Sequence, residues 1–95
     1  MDETYALIFK ALSDENRLKI LKLLISGETC SCKLIDQLPI SQPTLSYHLN
    51  LLNKSGLTTS YKDGTWHKHH VNTDVIDDVI SYLTKLKQSM KSCNL

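Results

Sequence analysis

The chain has 95 residues, a formal net charge of +1, 41% hydrophobic residues and 22% charged residues, which is the length of one domain, 1–95, with the composition of an ordinary globular protein. No apolar run approaches the ~18 residues that a membrane span needs. The opening MDETYALIF is acidic and helical rather than a secretory leader, so the expected location is the cytoplasm and no membrane partner is expected.

Tyr5, Ile8, Phe9 and Leu12 recur at helical spacing and predict a first helix. Ser13-Asp14 offers an N-cap for a second, whose apolar stripe is Leu18, Leu21, Leu24 and Ile25 and whose stop is Gly27. A short third helix is predicted from about Ser31 to Leu38, closed by Pro39. A fourth starts at Ser41 as N-cap with Pro43 in its first turn. It turns Leu45, Leu49 and Leu52 to the core and ends at Lys54-Ser55-Gly56. Leu57 to Lys62 and Thr65 to Val71 flank Asp63-Gly64, a hairpin signal. A last helix is capped by Asn72 or Thr73 and runs to about Ser92. Asp74, Asp77 and Asp78 near its start and Lys85, Lys87 and Lys91 near its end complement the helix dipole. Its Ile76, Val79, Leu83, Leu86 and Met90 form a heptad-like seam. A lone domain of this size buries only about 60–65% of its unfolded surface, so the seam predicts a homodimer.

The third and fourth helices (about 31–55) followed by a hairpin (about 57–71) read as a winged helix-turn-helix, a mostly α fold with a small β-hairpin. Such a unit suits double-stranded DNA, with a helix in the major groove and the ribbon on the backbone or the minor groove. The net charge alone would not suggest it, but Lys54, Lys62 and Lys68 gather in residues 41–71 against the single acid Asp63, and two copies would act together. A helical wheel centred on Leu45, Leu49 and Leu52 turns Pro43, Tyr47, Asn50 and Lys54 outward, flanked by Gln42, Thr44, Ser46 and His48. These are the candidate DNA contacts, joined by Lys62 and Lys68 on the wing. A two-fold dimer would read an imperfect inverted repeat. On the second strand Trp66, Lys68 and His70 share one face, and His67, His69 and Val71 the other. That separation, with no carboxylate close by, argues for wing surface rather than a metal site at His67 to His70.

Three cysteines remain. Cys30 and Cys32 form Cys-x-Cys, and Cys93 stands near the end. Thiolate is a soft ligand that selects soft ions. In a regular helix two residues two apart point about 200° from each other, so joint ligation would require the start of the third helix to unwind, tipping the fourth. Small inert residues and a thiol-redox switch are the alternatives. No Cys-x-x-Cys, P-loop, dinucleotide turn or nucleophile–base pair is present, so neither an enzyme nor an organic cofactor is expected.

FKALSDENRLKILKLL, ETCSCKL, SQPTLSYHLNLL, NKSGL and KDGTWHKHHV, in that order and spacing, resemble the ArsR/SmtB family of metal- and metalloid-responsive repressors over roughly residues 5–90. The resemblance implies a winged-helix dimer whose first and last helices pair across the two-fold, bringing Tyr5, Ile8 and Phe9 into the interface. It implies repression of a resistance operon, with release from the operator when an inducer binds. It places the recognition helix at Gln42 to Lys54, the wing at Tyr61 to His70 and the inducer motif at Glu28 to Cys32. The arsenic-sensing branch is the most similar, which implies trivalent arsenic, or antimony, held by three sulfurs. Where some arsenic sensors place a third cysteine this chain has Ile35, which leaves Cys93 as the candidate third ligand. The zinc-sensing branch has a histidine among its last-helix ligands, and that helix here has none. A cadmium, lead or zinc sensor on the same fold is the alternative.

Overall fold

A computed structural model describes residues 2–90. Five helices and one hairpin follow each other as α1 (Asp2–Leu12), α2 (Glu15–Ile25), α3 (Ser31–Leu34), a 3-10 turn (Ile35–Gln37), α4 (Gln42–Ser55), β1 (Thr58–Asp63), β2 (Trp66–Val71) and α5 (Thr73–Gln88). The architecture is the expected one, mostly α with a small β-hairpin. Lys91 and Cys93 lie outside the described residues.

Asp14 caps α2 by accepting from the backbone N–H groups of Asn16 and Arg17 at 2.9 and 3.2 Å. The buried face of α2 keeps Leu21 and Leu24 of the expected stripe but is rotated away from Leu18 and Ile25. Arg17, Ile20, Leu21 and Leu24 are buried, whereas Leu18 and Ile25 are 45% and 71% exposed. Arg17 explains the rotation. Its Nε donates to the Ala11 carbonyl at 2.7 Å and its Nη2 to that of Lys10 at 3.3 Å, so the guanidinium is held by carbonyls at the end of α1. A charged residue can go inside when hydrogen bonds replace its lost water.

The third helix is shorter than expected. One α-turn tightens into the 3-10 turn, and Leu38, held extended by the following Pro39, ends it at φ −126°, ψ 140°. The fourth matches its signals: the Ser41 hydroxyl accepts from the Thr44 N–H at 3.3 Å, and Gly56 takes the left-handed conformation just past the end, at φ 87°.

The hairpin pairs Thr58 with Val71 through to Asp63 with Trp66. Asp63 is therefore the last paired residue, and Gly64-Thr65, rather than Asp63-Gly64, makes the turn, with Gly64 at φ 65°. β2 is also tied on its other edge. The His69 N–H donates to the Thr29 carbonyl at 2.9 Å, and Cys30 bridges to Lys68.

One core unites the elements: Ile8 and Ala11 of α1, Ile20, Leu21 and Leu24 of α2, Leu34, Leu38, then Leu45, Leu49 and Leu52 of α4, Leu57, and Val79 of α5. Ile8 and Val79, expected in a dimer interface, are thus buried within the monomer, and Tyr5, Phe9 and Ile76 pack partly against the same core. Tyr5 stacks on Tyr82 with ring centroids 4.0 Å apart. The apolar side chains left open on α5 and just beyond it are Leu83, Leu86 and Met90 of the seam, together with Ile80. α5 ends at Gln88, so Met90 lies just beyond it.

Candidate DNA-reading face and thiol site

The outward face of α4 is built by its own leucines. With Leu45, Leu49 and Leu52 turned into the core, Gln42, Pro43, Thr44, Ser46, Tyr47, Asn50 and Lys54 are all exposed. None of their polar groups is taken up by a tertiary partner within the described residues, apart from Thr44, whose hydroxyl meets Ser41. Such a face has free donors and acceptors to offer a groove.

His48 is a correction. It is only 6% exposed and lies on the buried side of α4, so it is not placed to touch DNA. Its Nδ1 lies 2.9 Å from Nη1 of Arg17. Arginine has no acceptor, so Nδ1 accepts and the ring proton sits on Nε2, 3.9 Å from Oδ2 of Asp14. One buried polar chain therefore joins the end of α1, the start of α2 and the middle of α4. Burial pushes the Asp14 carboxyl up, but the Arg17 and Asn16 N–H groups and the nearby Arg17 charge hold it below the usual carboxylate value.

The hairpin stands beside α4 and is pinned to it by Asn53. Its Nδ2 donates to Ser60 Oγ at 3.1 Å, and its Oδ1 accepts from Thr58 Oγ1 at 2.5 Å. Between them lies a polar cleft of about 360 Å³ whose lining includes Gln42, Ser46, Asn50, Ser60, His67 and His69. His69 is buried and its Nδ1 has no hydrogen-bond partner. Burial first, then the His67 and His70 charges, hold its pKa below the usual value. Lys62 is exposed at the wing tip. Lys68 is half-buried and paired with Asp63 at 3.1 Å, a bond that raises its pKa and engages part of the charge expected for phosphate.

The opposite face of β2 meets the cysteines. Cys30 is not inside a helix. It is the residue that precedes α3, extended at φ −84°, ψ 130°, and its carbonyl accepts from the Lys33 and Leu34 N–H groups. Cys32 sits in the first turn. The 200° separation expected of two helical residues therefore does not apply. Both side chains border one open cavity of about 260 Å³, shared with Lys33, Trp66 and Lys68. No unwinding is needed to bring the thiols together. A hydrogen bond from the Cys32 thiol, helped by the Cys32 and Lys33 N–H groups and the Lys68 charge, holds the Cys30 thiol below the ordinary cysteine value against the cost of desolvation. The same bond, with burial and the Cys30 charge, pushes Cys32 up. The surroundings thus favour a thiolate within the pair, and a thiolate is the form that binds soft ions. Among the described residues no group of three or more His, Cys, Asp or Glu side chains is placed to hold a metal. The site is a two-sulfur site there, and Cys93 lies outside them.

Sequence reasoning missed Arg17, Asn53 and Trp66. Arg17 has the spacing of the buried leucines but the charge of a surface residue, and nothing in the sequence says which face of a hairpin will meet a cysteine pair.

The family profile described as "Bacterial regulatory protein, arsR family" matches residues 14–60. The arsenical resistance operon repressor of Staphylococcus aureus is 43% identical, over 90% of this chain and 83% of that protein. A cadmium resistance transcriptional regulatory protein of Listeria innocua is 49% identical over 59% of this chain and 48% of its own length. An ArsR-like transcriptional regulator from Rhodococcus superposes with a TM-score of 0.81 at 30% identity, covering 90% of this chain and 79% of that one. A homodimeric winged helix-turn-helix DNA-binding domain from Mycobacterium bovis superposes with a TM-score of 0.74 at 25% identity, covering 90% and 81%.

Proposed function

The chain belongs to the arsR family of bacterial regulatory proteins and is a DNA-binding transcriptional regulator; from that premise we propose that it is a single-domain, homodimeric repressor of a resistance operon, released from its operator when trivalent arsenic binds Cys30 and Cys32. The observation that carries the reading is the shared thiol cavity, in which both cysteines face one space at the entry to the helix-turn-helix. Soft sulfur ligands suit arsenic and antimony, and the arsenical repressor of Staphylococcus aureus is a relative over most of its length. When arsenous acid binds, each thiol replaces one hydroxyl, the thiol proton and the hydroxyl leaving as water. Cys93 is the remaining cysteine for a third arsenic–sulfur bond.

α4 presents Gln42, Thr44, Ser46, Tyr47 and Asn50 to the bases and nearby phosphates, with Lys54, Lys62 and Lys68 on the backbone. The open apolar side chains of Leu83, Leu86, Met90 and Ile80 form the dimer contact, as the homodimeric relative supports. Two copies then read an imperfect inverted repeat. A coupling of ~1–3 kcal/mol between the sites would weaken operator binding by roughly 5–150-fold.

An arsenite titration of reduced protein tests this, following thiolate–arsenic absorbance and operator release together. Both should saturate at the same concentration, with antimonite behaving alike. Release by cadmium, lead or zinc but not by arsenite would assign the sensor to those ions. Release on thiol oxidation alone would make it a redox regulator.

A further inference from the structure

The thiol cavity has a wall that does not come from the cysteine segment. Trp66 and Lys68, both on β2, line it opposite Cys30 and Cys32. Trp66 is 54% exposed, so part of its indole is open to solvent. Two backbone links hold this strand against the cysteine segment: the 2.9 Å bond from the His69 N–H to the Thr29 carbonyl and the bridge between Cys30 and Lys68. The same strand residues reach the tip of the wing. Trp66 pairs across the hairpin with Asp63, and Lys68 holds the Asp63 carboxylate at 3.1 Å. The cavity, about 260 Å³, is several times the roughly 30 Å³ that one water takes up in the liquid. An occupant held by both sulfurs therefore lies between the cysteine segment and the wing.

We propose that Trp66 is a coupling residue of the inducer site: the ligand held by Cys30 and Cys32 packs against its indole and displaces the wing, so that release from DNA runs through β2 as well as through α3. This rests on the reading of the cysteines given above. The wing is held by backbone bonds on one edge and by Asn53 on the other, so a shift at Trp66 moves the Lys62 to Gly64 tip relative to α4. Loss of register between recognition helix and wing weakens both sets of contacts at once.

Trp66 is the only tryptophan, so its emission reports the site in the full-length protein without a label. Arsenite should change Trp66 emission and its quenching by acrylamide, with the same midpoint as the thiolate–arsenic absorbance. Trp66→Ala should still show that absorbance and still bind operator, but saturating arsenite should weaken its operator binding by less than about 3-fold, below the roughly 5–150-fold span of ordinary allosteric coupling. Trp66→Phe should recover most of the wild-type response. Full arsenite release from Trp66→Ala, or wild-type emission that stays flat while the absorbance shows arsenic bound, would overturn the inference and leave the cysteine reading standing. No thiolate–arsenic absorbance in the wild type would remove both. The emission measurement needs no variant, so it decides even if Trp66→Ala folds poorly.

Discussion

α4 and α3 are neighbours in the same helix-turn-helix and are built to opposite standards. α4 has 14 residues, a serine that caps its start, a left-handed glycine just past its end and three leucines in the core. α3 has four residues, is preceded by Cys30, which makes no side-chain capping bond, and gives way at once to a 3-10 turn. Short helices are marginal without tertiary support, and the support α3 receives is chiefly Leu34 below it and β2 beside it. Under the proposed function the helix that would read DNA is the long, capped one, and the short one beside the thiols is held mainly by its neighbours, so a ligand on Cys30 and Cys32 should disturb α3 more readily than α4.

The largest expected effect comes from removing the partner that lets α4 read two half-sites. Leu83→Asp places a charge on the open apolar flank of α5 and should dissociate the dimer, seen by sedimentation at micromolar concentration, and abolish operator binding with it. Within the monomer, Leu52→Ala should cost ~2–5 kcal/mol, as buried leucines do, read as a lower denaturant midpoint. Capping sharpens the contrast. Ser41→Ala should cost ~0.5–2 kcal/mol, whereas Cys30→Ala, at a position with no capping bond to lose, should stay within about 0.5 kcal/mol, the usual range for changes that break no such feature.

The smallest effect concerns the cleft between α4 and the wing. His69 has a depressed pKa in the fold, so it binds fewer protons folded than unfolded. Its contribution to stability is complete above about 6.5, the ordinary histidine value, and is lost as the pH falls below it. Thermal melts between pH 7.5 and 5 should show a smaller acid decline in His69→Leu than in the wild type. An identical decline in both would show that His69 does not carry it.

Where local signals and tertiary packing agree, the sequence was readable. α4 is the clearest case, because Ser41, Pro43, three leucines and Gly56 all state the same helix. The alternation along β2 also separates Trp66 and Lys68 from His67 and His69, since a strand has no other option. The errors fall where a polar group is satisfied at long range. Arg17 and His48 sit at the spacing of the core leucines, but their polar chemistry argues for surface, and only the carbonyls of α1 and the ring nitrogen of His48 show why they are buried. The start of α3 at Ser31 is the expected one, and it already puts Cys30 outside the helix; the 200° separation holds only for two residues within a helix, whereas an extended Cys30 brings both thiols to one cavity. The approach of Trp66 to that cavity is not written in spacing.

The central claim is that Cys30 and Cys32 are needed for release and not for binding. Serine is close to cysteine in size and a preferred residue at the position Cys30 holds, yet its hydroxyl is a poor ligand for a soft ion. The direct test is fluorescence anisotropy of labelled operator with the reduced Cys30→Ser, Cys32→Ser double variant, with and without arsenite. The account predicts near wild-type operator affinity that arsenite does not change, while the wild type is released. A double variant that still leaves the operator when arsenite is added would place the sensing site elsewhere and contradict it.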